Sequence, residues 1–151
     1  KYDGVEVERS GPAASRIPVC QSYDDLSTMF PLPDWLMQNV DRCKYKKPTP
    51  VQKHAVPAAL IGRDVMVCAQ TGSGKTCAFL LPLIASLDPA KGCQRGETFQ
   101  GAASPIGVVM SPTRELCAQI HIEARRLSFK SRWRVLVIYG GVTAWHQIKD
   151  L

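Results

Sequence analysis

The sequence predicts an α/β domain built around a parallel β-sheet. Three apolar runs, at residues 64–69, 106–110 and 134–139, have the length and composition of buried strands, and segments with helical periodicity follow the first two. Strands that alternate with helices are typical of a parallel sheet whose two faces are both covered. A chain of 151 residues is long enough to build one such domain around a hydrophobic core.

Before the first strand we expect an extended arm and two helices. Residues 1–21 contain glycine and proline but no helical or strand periodicity, so they are predicted to form an arm on the surface of the domain, which spans residues 22–151. The first helix is expected over residues 33–43. Its predicted inward-facing residues are Trp35, Leu36 and Val40, with Met37 as a further candidate.

The second helix is predicted to begin at Thr49. Pro50 suits the first helical position, because its missing N–H would have no partner there, and Gly62 can end the helix. Pro57 is expected to interrupt or kink this helix. A third helix should follow the first strand and run to about Leu87.

The second half of the chain repeats the alternation of strand and helix. Residues 88–105 are rich in Gly, Pro, Ser and Gln and are predicted to form a long exposed loop before the second strand. A helix is expected over residues 113–129, a turn at Gly140-Gly141, and a final helix from about Thr143. The apolar stripe of the 113–129 helix consists of Leu116, Ile120, Ala124 and Leu127.

Composition and charge narrow the class of protein. Hydrophobic residues make up 45% and charged residues 21%, no apolar run is long enough to cross a bilayer, and no signal peptide opens the sequence. The six cysteines have no C-x-x-C spacing, which favours reduced thiols in the cytosol or nucleus. The net charge of +6 is concentrated after Asp34. A basic body suits a nucleic-acid partner, although an ordinary soluble surface explains the charge equally well.

The segment 69–76, Ala-Gln-Thr-Gly-Ser-Gly-Lys-Thr, is predicted to be a phosphate-binding loop. It joins a predicted strand to a predicted helix, so several backbone N–H groups can point at one polyphosphate. Gly72 and Gly74 allow the backbone to wrap closely, Lys75 offers a positive charge to the outer phosphates, and Thr76 offers a hydroxyl to Mg²⁺. The first glycine of the usual pattern is replaced by Ala69.

The segment 45–52, Tyr-Lys-Lys-Pro-Thr-Pro-Val-Gln, allows two interpretations. Thr49 and Gln52 have the spacing of a helix capping box, which by itself is the stronger reading. The Gln52 amide can also donate and accept at once, which matches the N6 and N7 edge of adenine, and the ring of Tyr45 can stack on the base.

Four motifs in this order resemble the first half of DEAD-box RNA helicases. Lys-Pro-Thr-Pro-Val-Gln at 47–52 is similar to their Q motif, and residues 69–76 are similar to their Walker A motif. Pro-Thr-Arg-Glu-Leu at 112–116 resembles motif Ia, and Gly-Gly at 140–141 resembles the GG motif. The opening arm resembles that of the Vasa/Belle subgroup, although Lys44 replaces the glycine that often opens the Q motif.

The resemblance implies a role for each matching residue. Those around adenine would be Tyr23, Tyr45, Lys47, Thr49 and Gln52, with Tyr23 as the upstream aromatic and Phe30 as its competitor. Those around the phosphates would be Gln70, Thr71, Gly72, Ser73, Gly74, Lys75 and Thr76, with Lys75 and Thr76 catalytic and Thr76 also a ligand of Mg²⁺. Those contacting the RNA backbone would be Pro112, Thr113, Arg114, Gly140 and Gly141.

The resemblance also implies the context of this chain. We expect the N-terminal part of the first RecA-like domain, an incomplete parallel-sheet P-loop domain that ends before the Asp-Glu-Ala-Asp motif, since the sequence has no Asp-Glu pair. ATP, Mg²⁺, RNA and a second RecA-like domain would be its cofactors and partners, with no membrane. We expect a cytoplasmic location, with shuttling to the nucleus left open, and no RNA-stimulated ATPase activity from the isolated chain. The alternatives are a short module that binds nucleotide or RNA without turnover and, less favoured, a P-loop kinase.

A basic run lies where the predicted 113–129 helix leads into the predicted strand at 134–139. It is interpreted first as a solvated surface and second as an additional RNA contact. Its members are Arg125, Arg126, Lys130, Arg132 and Arg134.

Overall fold

The computed structural model describes residues 4–87 and 105–142, together with Trp145 and Gln147. The described helices are α1 (Tyr23–Met29), α2 (Asp34–Arg42), α3 (Pro50–Leu60), α4 (Lys75–Ser86) and α5 (Arg114–Leu127), with a short 3₁₀ turn at Ala14–Arg16. Most of the predicted 88–105 loop and the start of the last helix at Thr143 lie outside these residues. Within the described residues, no helix is long and apolar enough to span a bilayer.

The helices predicted in the first half are confirmed, and their ends follow local chemistry. Helix α2 starts directly after Pro33 and has Leu36 and Val40 buried on its inner face. Helix α3 has Thr49 at its N-cap and Pro50 in its first turn. Gly62 adopts a φ of 80° after its last turn, a left-handed conformation that glycine reaches without steric penalty.

Helix α1 was not predicted. Ser22 and Asp25 form a capping box: the Asp25 N–H donates to Ser22 Oγ at 2.9 Å, and the Ser22 N–H donates to Asp25 Oδ2 at 2.9 Å. The Ser-x-x-Asp spacing was the available signal. A helix of seven residues is unstable by itself, so it depends on the burial of Tyr23 and Leu26 against the rest of the domain.

The core lies where the helices meet. Helix α4 packs along α3 and against α5, and α5 also contacts α2. Helix α4 is buried over most of its circumference, and the loop that precedes it is exposed from residue 68 to residue 72. The most deeply buried apolar side chains are Leu26, Leu36, Val40, Val56, Leu80, Leu81 and Leu127.

The predicted parallel sheet is not formed within the described residues. The segments 64–69, 106–110 and 134–139 lie outside every helix, and none is a β-strand. The prediction of burial is also wrong for several of their side chains, since Met66 is 92% and Met110 91% exposed. A strand requires a neighbouring backbone at the right register, and an apolar run specifies the preference for burial but not that neighbour. Side chains along 131–140 still alternate between partly covered and exposed, the period of a pleated chain.

The N-terminal arm is exposed for most of its described length and reaches the core at Cys20. The Cys20 N–H donates to the Lys53 carbonyl of α3 at 3.1 Å, and Arg9 Nη1 donates to the Ile17 carbonyl at 2.8 Å. The arm therefore joins the domain beside α3, immediately before Tyr23 enters the core.

Candidate functional site

The phosphate loop leads directly into α4. Gly72 and Gly74 have φ angles of 79° and 88°, in the left-handed region that glycine favours, and Gly74 is the N-cap of the helix. Helix α4 begins at Lys75. The N–H groups of its first turn have no acceptor inside the helix, and the positive end of the helix dipole lies at the same place. This is the geometry predicted for an anion-binding loop.

Lys75 holds the loop in a closed shape. Its Nζ donates to the carbonyl oxygens of Ala69 at 2.5 Å and Gln70 at 2.7 Å. A bound phosphate would offer charged oxygens in place of these carbonyls. Ser73 is buried, and its Oγ has no hydrogen-bond partner among the described residues. An unpaired buried hydroxyl is unfavourable, so the loop fits a ligand that brings polar atoms. Gln70 and Thr71 are exposed.

Gln52 connects the 45–52 segment to the phosphate loop. Its side chain is only 4% exposed, and its Oε1 accepts hydrogen bonds from the Thr49 N–H at 2.9 Å and from Tyr23 Oη at 3.0 Å. Its Nε2 donates to the Gly74 carbonyl at 3.1 Å. Both acceptor positions of the amide oxygen are therefore in use, and one N–H of Nε2 is left to meet a ligand.

The close contact between Gln52 and the loop explains why position 74 is glycine. A Cβ atom at Gly74 would lie 2.6 Å from Gln52 Nε2 and 3.0 Å from Thr49 Oγ1. By contrast, a Cβ at Gly72 would meet nothing within 4 Å. Gly74 is therefore needed for both its backbone conformation and its small size, whereas Gly72 is needed for conformation alone.

Four of the residues predicted to surround adenine and three of the phosphate loop line one cavity of about 370 Å³, whereas Tyr23, Gln70, Thr71, Ser73 and Lys75 do not line it. Thr49 Oγ1 is a second buried hydroxyl without a hydrogen-bond partner among the described residues. The predicted residues in the lining are Tyr45, Lys47, Thr49, Gln52, Gly72, Gly74 and Thr76. Residues far apart in the sequence thus line the same cavity.

The cavity has a wall that the sequence did not reveal. Gln119 and Glu123 of α5 line it, and Tyr45 Oη donates a hydrogen bond to Glu123 Oε1. These two residues are four positions apart, so they lie on the same face of the helix. That spacing was visible in the sequence, but only the packing of α5 shows that this face meets Tyr45.

Tyr23 lies beneath the cavity rather than in its lining. Its ring is buried, and burial raises the pKa of its hydroxyl well above the usual value, so it stays protonated and donates to Gln52. Phe30 instead packs against the hydrophobic core. Of the two candidate aromatics, Tyr23 is therefore the one in contact with Gln52. Cys77 also lines the cavity, and burial raises its pKa to about 12.

The residues predicted to contact RNA meet at the N-terminal end of α5. Thr113 caps the helix, since its Oγ1 accepts the Leu116 N–H at 3.3 Å. The Arg114 guanidinium lies so close to Gly141 that a Cβ there would be 1.6 Å from Nη2. Gly141 has a φ of 79°, and Gly140 has no neighbour within 4 Å of a Cβ placed on it. Pro112 is exposed beside Thr113.

A glutamine fixes the chain just before the Gly-Gly turn. The Tyr139 N–H donates to Gln147 Oε1 at 2.8 Å, and Gln147 Nε2 donates to the Tyr139 carbonyl at 3.1 Å. Cys117 of α5 lies next to the same segment, with its Sγ 3.9 Å from the Ile138 carbonyl. These contacts hold Gly140-Gly141 beside the start of α5.

The loop, its helix and the cavity define a P-loop nucleotide-binding domain. The sequence profile described as DEAD/DEAH box helicase matches residues 49–151. This match covers more than half of the chain, so the chain belongs to the DEAD/DEAH box helicase family.

Within the described residues, no group of three or more His, Cys, Asp or Glu side chains could hold a metal ion.

Individual relatives agree with this assignment. The chain is 48% identical over 156 residues to the DEAD-box ATP-dependent RNA helicase 52A of Oryza sativa subsp. japonica, with all of this chain and 25% of the relative covered. It therefore spans about a quarter of the length of that curated relative.

Solved structures support the RecA-like fold. The ADP-bound RNA helicase Prp28 of Chaetomium thermophilum is 40% identical, with a TM-score of 0.64 over 77% of this chain and 27% of that one. A DEAD-box protein of Methanococcus jannaschii is 26% identical, with a TM-score of 0.70 over 88% of this chain and 32% of that one. The fold is thus that of a RecA-like DEAD-box domain, although the described residues contain only its helices.

Proposed function

We propose that this chain is the ATP-binding and RNA-backbone-binding part of an ATP-dependent RNA helicase, which couples ATP hydrolysis to local unwinding of RNA duplexes. The observation that carries the proposal is the position of Gln52. One buried amide joins Thr49 and Tyr23 to the Gly74 carbonyl, so the adenine end and the phosphate end of a nucleotide would meet a single connected surface. Prp28 of Chaetomium thermophilum, a similar protein, was solved with ADP.

ATP with Mg²⁺ is the ligand that we propose for this cavity. Tyr45 would stack on the base, Lys75 would exchange the loop carbonyls for β- and γ-phosphate oxygens, and the first turn of α4 would donate N–H groups to the phosphates. Mg²⁺ prefers oxygen ligands and keeps several waters, so the Thr76 hydroxyl together with the phosphates would hold it. Within the described residues, the groups proposed to hold Mg²⁺ include no Asp or Glu side chain.

The RNA contact is proposed at the start of α5. Thr113, Arg114, Gly140 and Gly141 offer backbone N–H groups, a hydroxyl and a guanidinium on one exposed surface. Such groups bind phosphate and sugar, so recognition would be tolerant of sequence.

Further features of the whole protein belong to the same proposal. The arm and the Gln-Lys-His-Ala-Val-Pro segment at 52–57 support assignment to the Vasa/Belle subgroup. A second RecA-like domain would complete the nucleotide and RNA sites, and the protein would act in the cytoplasm.

The test uses the full-length protein that carries this segment. Lys75→Ala removes the charge that faces the outer phosphates, so RNA-stimulated phosphate release should fall at least about 100-fold, about 2.7 kcal/mol of transition-state stabilisation. Lys46→Ala is the matched control, because Lys46 is an exposed lysine outside the phosphate loop, whereas Lys75 Nζ contacts the loop carbonyls of Ala69 and Gln70. Equal rates of phosphate release for Lys75→Ala and the unmodified protein would overturn the assignment of the loop.

A further inference from the structure

A second and larger cleft lies between the C-terminal ends of α2 and α5. Its volume is about 680 Å³, and it touches the nucleotide cavity only through Tyr45, which lines both. The residues of α5 that line this cleft are Ile122, Arg125 and Arg126, which lie about 12–18 Å along the helix from the Arg114 end that is proposed to contact RNA. It is therefore separate from both sites described above.

The cleft is strongly basic. Four cations line it, namely Arg42, Lys44, Arg125 and Arg126, and no carboxylate does. Arg126 Nη1 forms an ion pair with Glu123 Oε2 at 3.4 Å, and the Arg126 side chain is 64% exposed. An exposed pair of this kind is weak, so an anion in the cleft could compete for the guanidinium.

The two helix ends alone do not account for this charge. A helix C-terminus carries about half a negative charge, so the ends of α2 and α5 together would be balanced by about one cation. Four cations leave a clear positive excess. That excess is suited to a ligand that carries several negative charges.

A buried amide builds the cleft. Asn39 is 0% exposed, and its Nδ2 donates to the carbonyls of Leu127 at 2.8 Å and Phe129 at 2.7 Å, which ties the end of α5 to α2. Its Oδ1 accepts a hydrogen bond from Arg42 Nη1 at 2.9 Å. The Arg42 guanidinium also lies 5.6 Å from the centre of the Phe129 ring. Arg42 is thus held in place before any ligand binds.

Two lysines at the cleft adopt backbone conformations that favour glycine. Lys44, just after α2, and Lys130, just after α5, both have a φ of 59°. Glycine is the usual residue at such helix ends, because a side chain in the left-handed region is strained. Lys44 lines the cleft, and Lys130 Nζ lies 5.8 Å from the centre of the Phe129 ring that also lines it. Strained residues that persist in this way are often functional.

We propose that this cleft binds phosphate groups, at a site separate from the phosphate loop. Arginine guanidinium groups match phosphate oxygens with paired hydrogen bonds, and lysine supplies additional positive charge. A phosphate group has more acceptor oxygens and more charge than a carboxylate, so four cations on one cleft favour it. The phosphates could belong to an RNA backbone or to a small polyphosphate, and the test separates these two sources.

The test is made in protein carrying Lys75→Ala, so that the phosphate loop contributes little. Binding of tripolyphosphate is measured by calorimetry, and binding of a single-stranded oligouridylate is measured as a function of salt. Lys44→Gly and Arg125→Gln are each expected to lower the affinity for one of these two ligands about 10-fold, the effect of losing one charge-assisted hydrogen bond. Lys46→Gly is the matched control, since it removes the same charge two residues away and outside the cleft.

Lys44→Gly should not damage the fold, because glycine relieves the left-handed strain at that position. Its thermal midpoint should therefore equal or exceed that of the parent. This separates a loss of binding from a loss of structure, and ATP affinity measured with an intact Lys75 should stay unchanged in Lys44→Gly.

The results identify the source of the phosphates. Weaker tripolyphosphate binding with unchanged RNA binding would support a small polyphosphate. Weaker RNA binding, with a salt slope reduced by about 0.7 per lost contact, would support an RNA backbone. The proposal is overturned if both ligands bind Lys44→Gly and Arg125→Gln as tightly as the Lys46→Gly control. It is also overturned if these substitutions weaken only the binding of an oligoglutamate peptide, because the cleft would then be a site for an acidic protein segment.

Discussion

Gly74 is the position where the structure makes its sharpest quantitative prediction. In Gly74→Ala, the new methyl group would take up a φ of 88° and would lie 2.6 Å from Gln52 Nε2. Left-handed strain should cost about 1–2 kcal/mol. Displacing the Gln52 amide should cost about 1–3 kcal/mol more, because it leaves buried groups without their hydrogen bonds.

If Gln52 moves, water cannot replace the hydrogen bonds that it loses. The side chain is buried, and its three hydrogen bonds go to Tyr23, Thr49 and the Gly74 carbonyl. The free energy of unfolding of Gly74→Ala should therefore fall by about 2–5 kcal/mol, a large share of the total of a typical domain.

Gly72→Ala provides the matched control. Its φ of 79° imposes nearly the same strain, but nothing lies within 4 Å of the added Cβ, so only about 1–2 kcal/mol should be lost. Urea unfolding followed by circular dichroism would compare the two variants, and titration with a fluorescent ATP analogue would report on the site. Equal free energies of unfolding for the two variants would refute the argument that Gln52 packs against the loop.

Three further predictions test other contacts. Gln52→Ala should narrow the preference for ATP over GTP in competition binding, and a protein that binds both nucleotides equally before the substitution would contradict an adenine-reading site. Gly141→Ala should lower RNA affinity to about the level of Arg114→Ala, because its methyl group displaces the Arg114 guanidinium. Gly140→Ala should change RNA affinity little, because alanine keeps the backbone N–H proposed to contact RNA and its methyl group meets nothing within 4 Å. Equal losses at the two glycines would argue against the contact between Arg114 and Gly141. Burial raises the pKa of the Cys77 thiol from 9.0 to about 12, so its contribution to the stability of the folded state is complete below pH 9 and is lost as the pH rises toward 12. Cys77→Ala should therefore flatten the decline of the free energy of unfolding between pH 9 and pH 12. An unchanged pH profile would show that another group controls the decline.

The sequence by itself determined the features that depend on local chemistry. The phosphate loop required only two glycines able to adopt positive φ, a lysine and the start of a helix, all within residues 69–76. The start of α3 followed from Pro50, because its missing N–H needs no partner at the first helical position. The start of α5 followed from Thr113, because its hydroxyl oxygen accepts an N–H of the first turn. The order of the four motifs was sufficient to predict the family of the chain.

Tertiary structure decided everything that depends on which segments meet. Thr49 and Gln52 were a capping pair in the sequence, but only the fold shows that the same Gln52 amide also reaches Tyr23 and Gly74. The contact of Tyr45 with Glu123 spans 78 positions, and no local pattern specifies such a pairing.

The three predicted strands also show that local sequence does not specify which segments meet. Apolar runs record a preference for burial, whereas a strand exists only when a neighbouring backbone accepts and donates its hydrogen bonds. Val108 and Met110 remain exposed, and their segment forms no ladder within the described residues. The basic cleft has the same origin. Lys44 and Arg125 lie far apart in the sequence, and it is the buried Asn39, by tying the end of α5 to α2, that brings their charges to one surface.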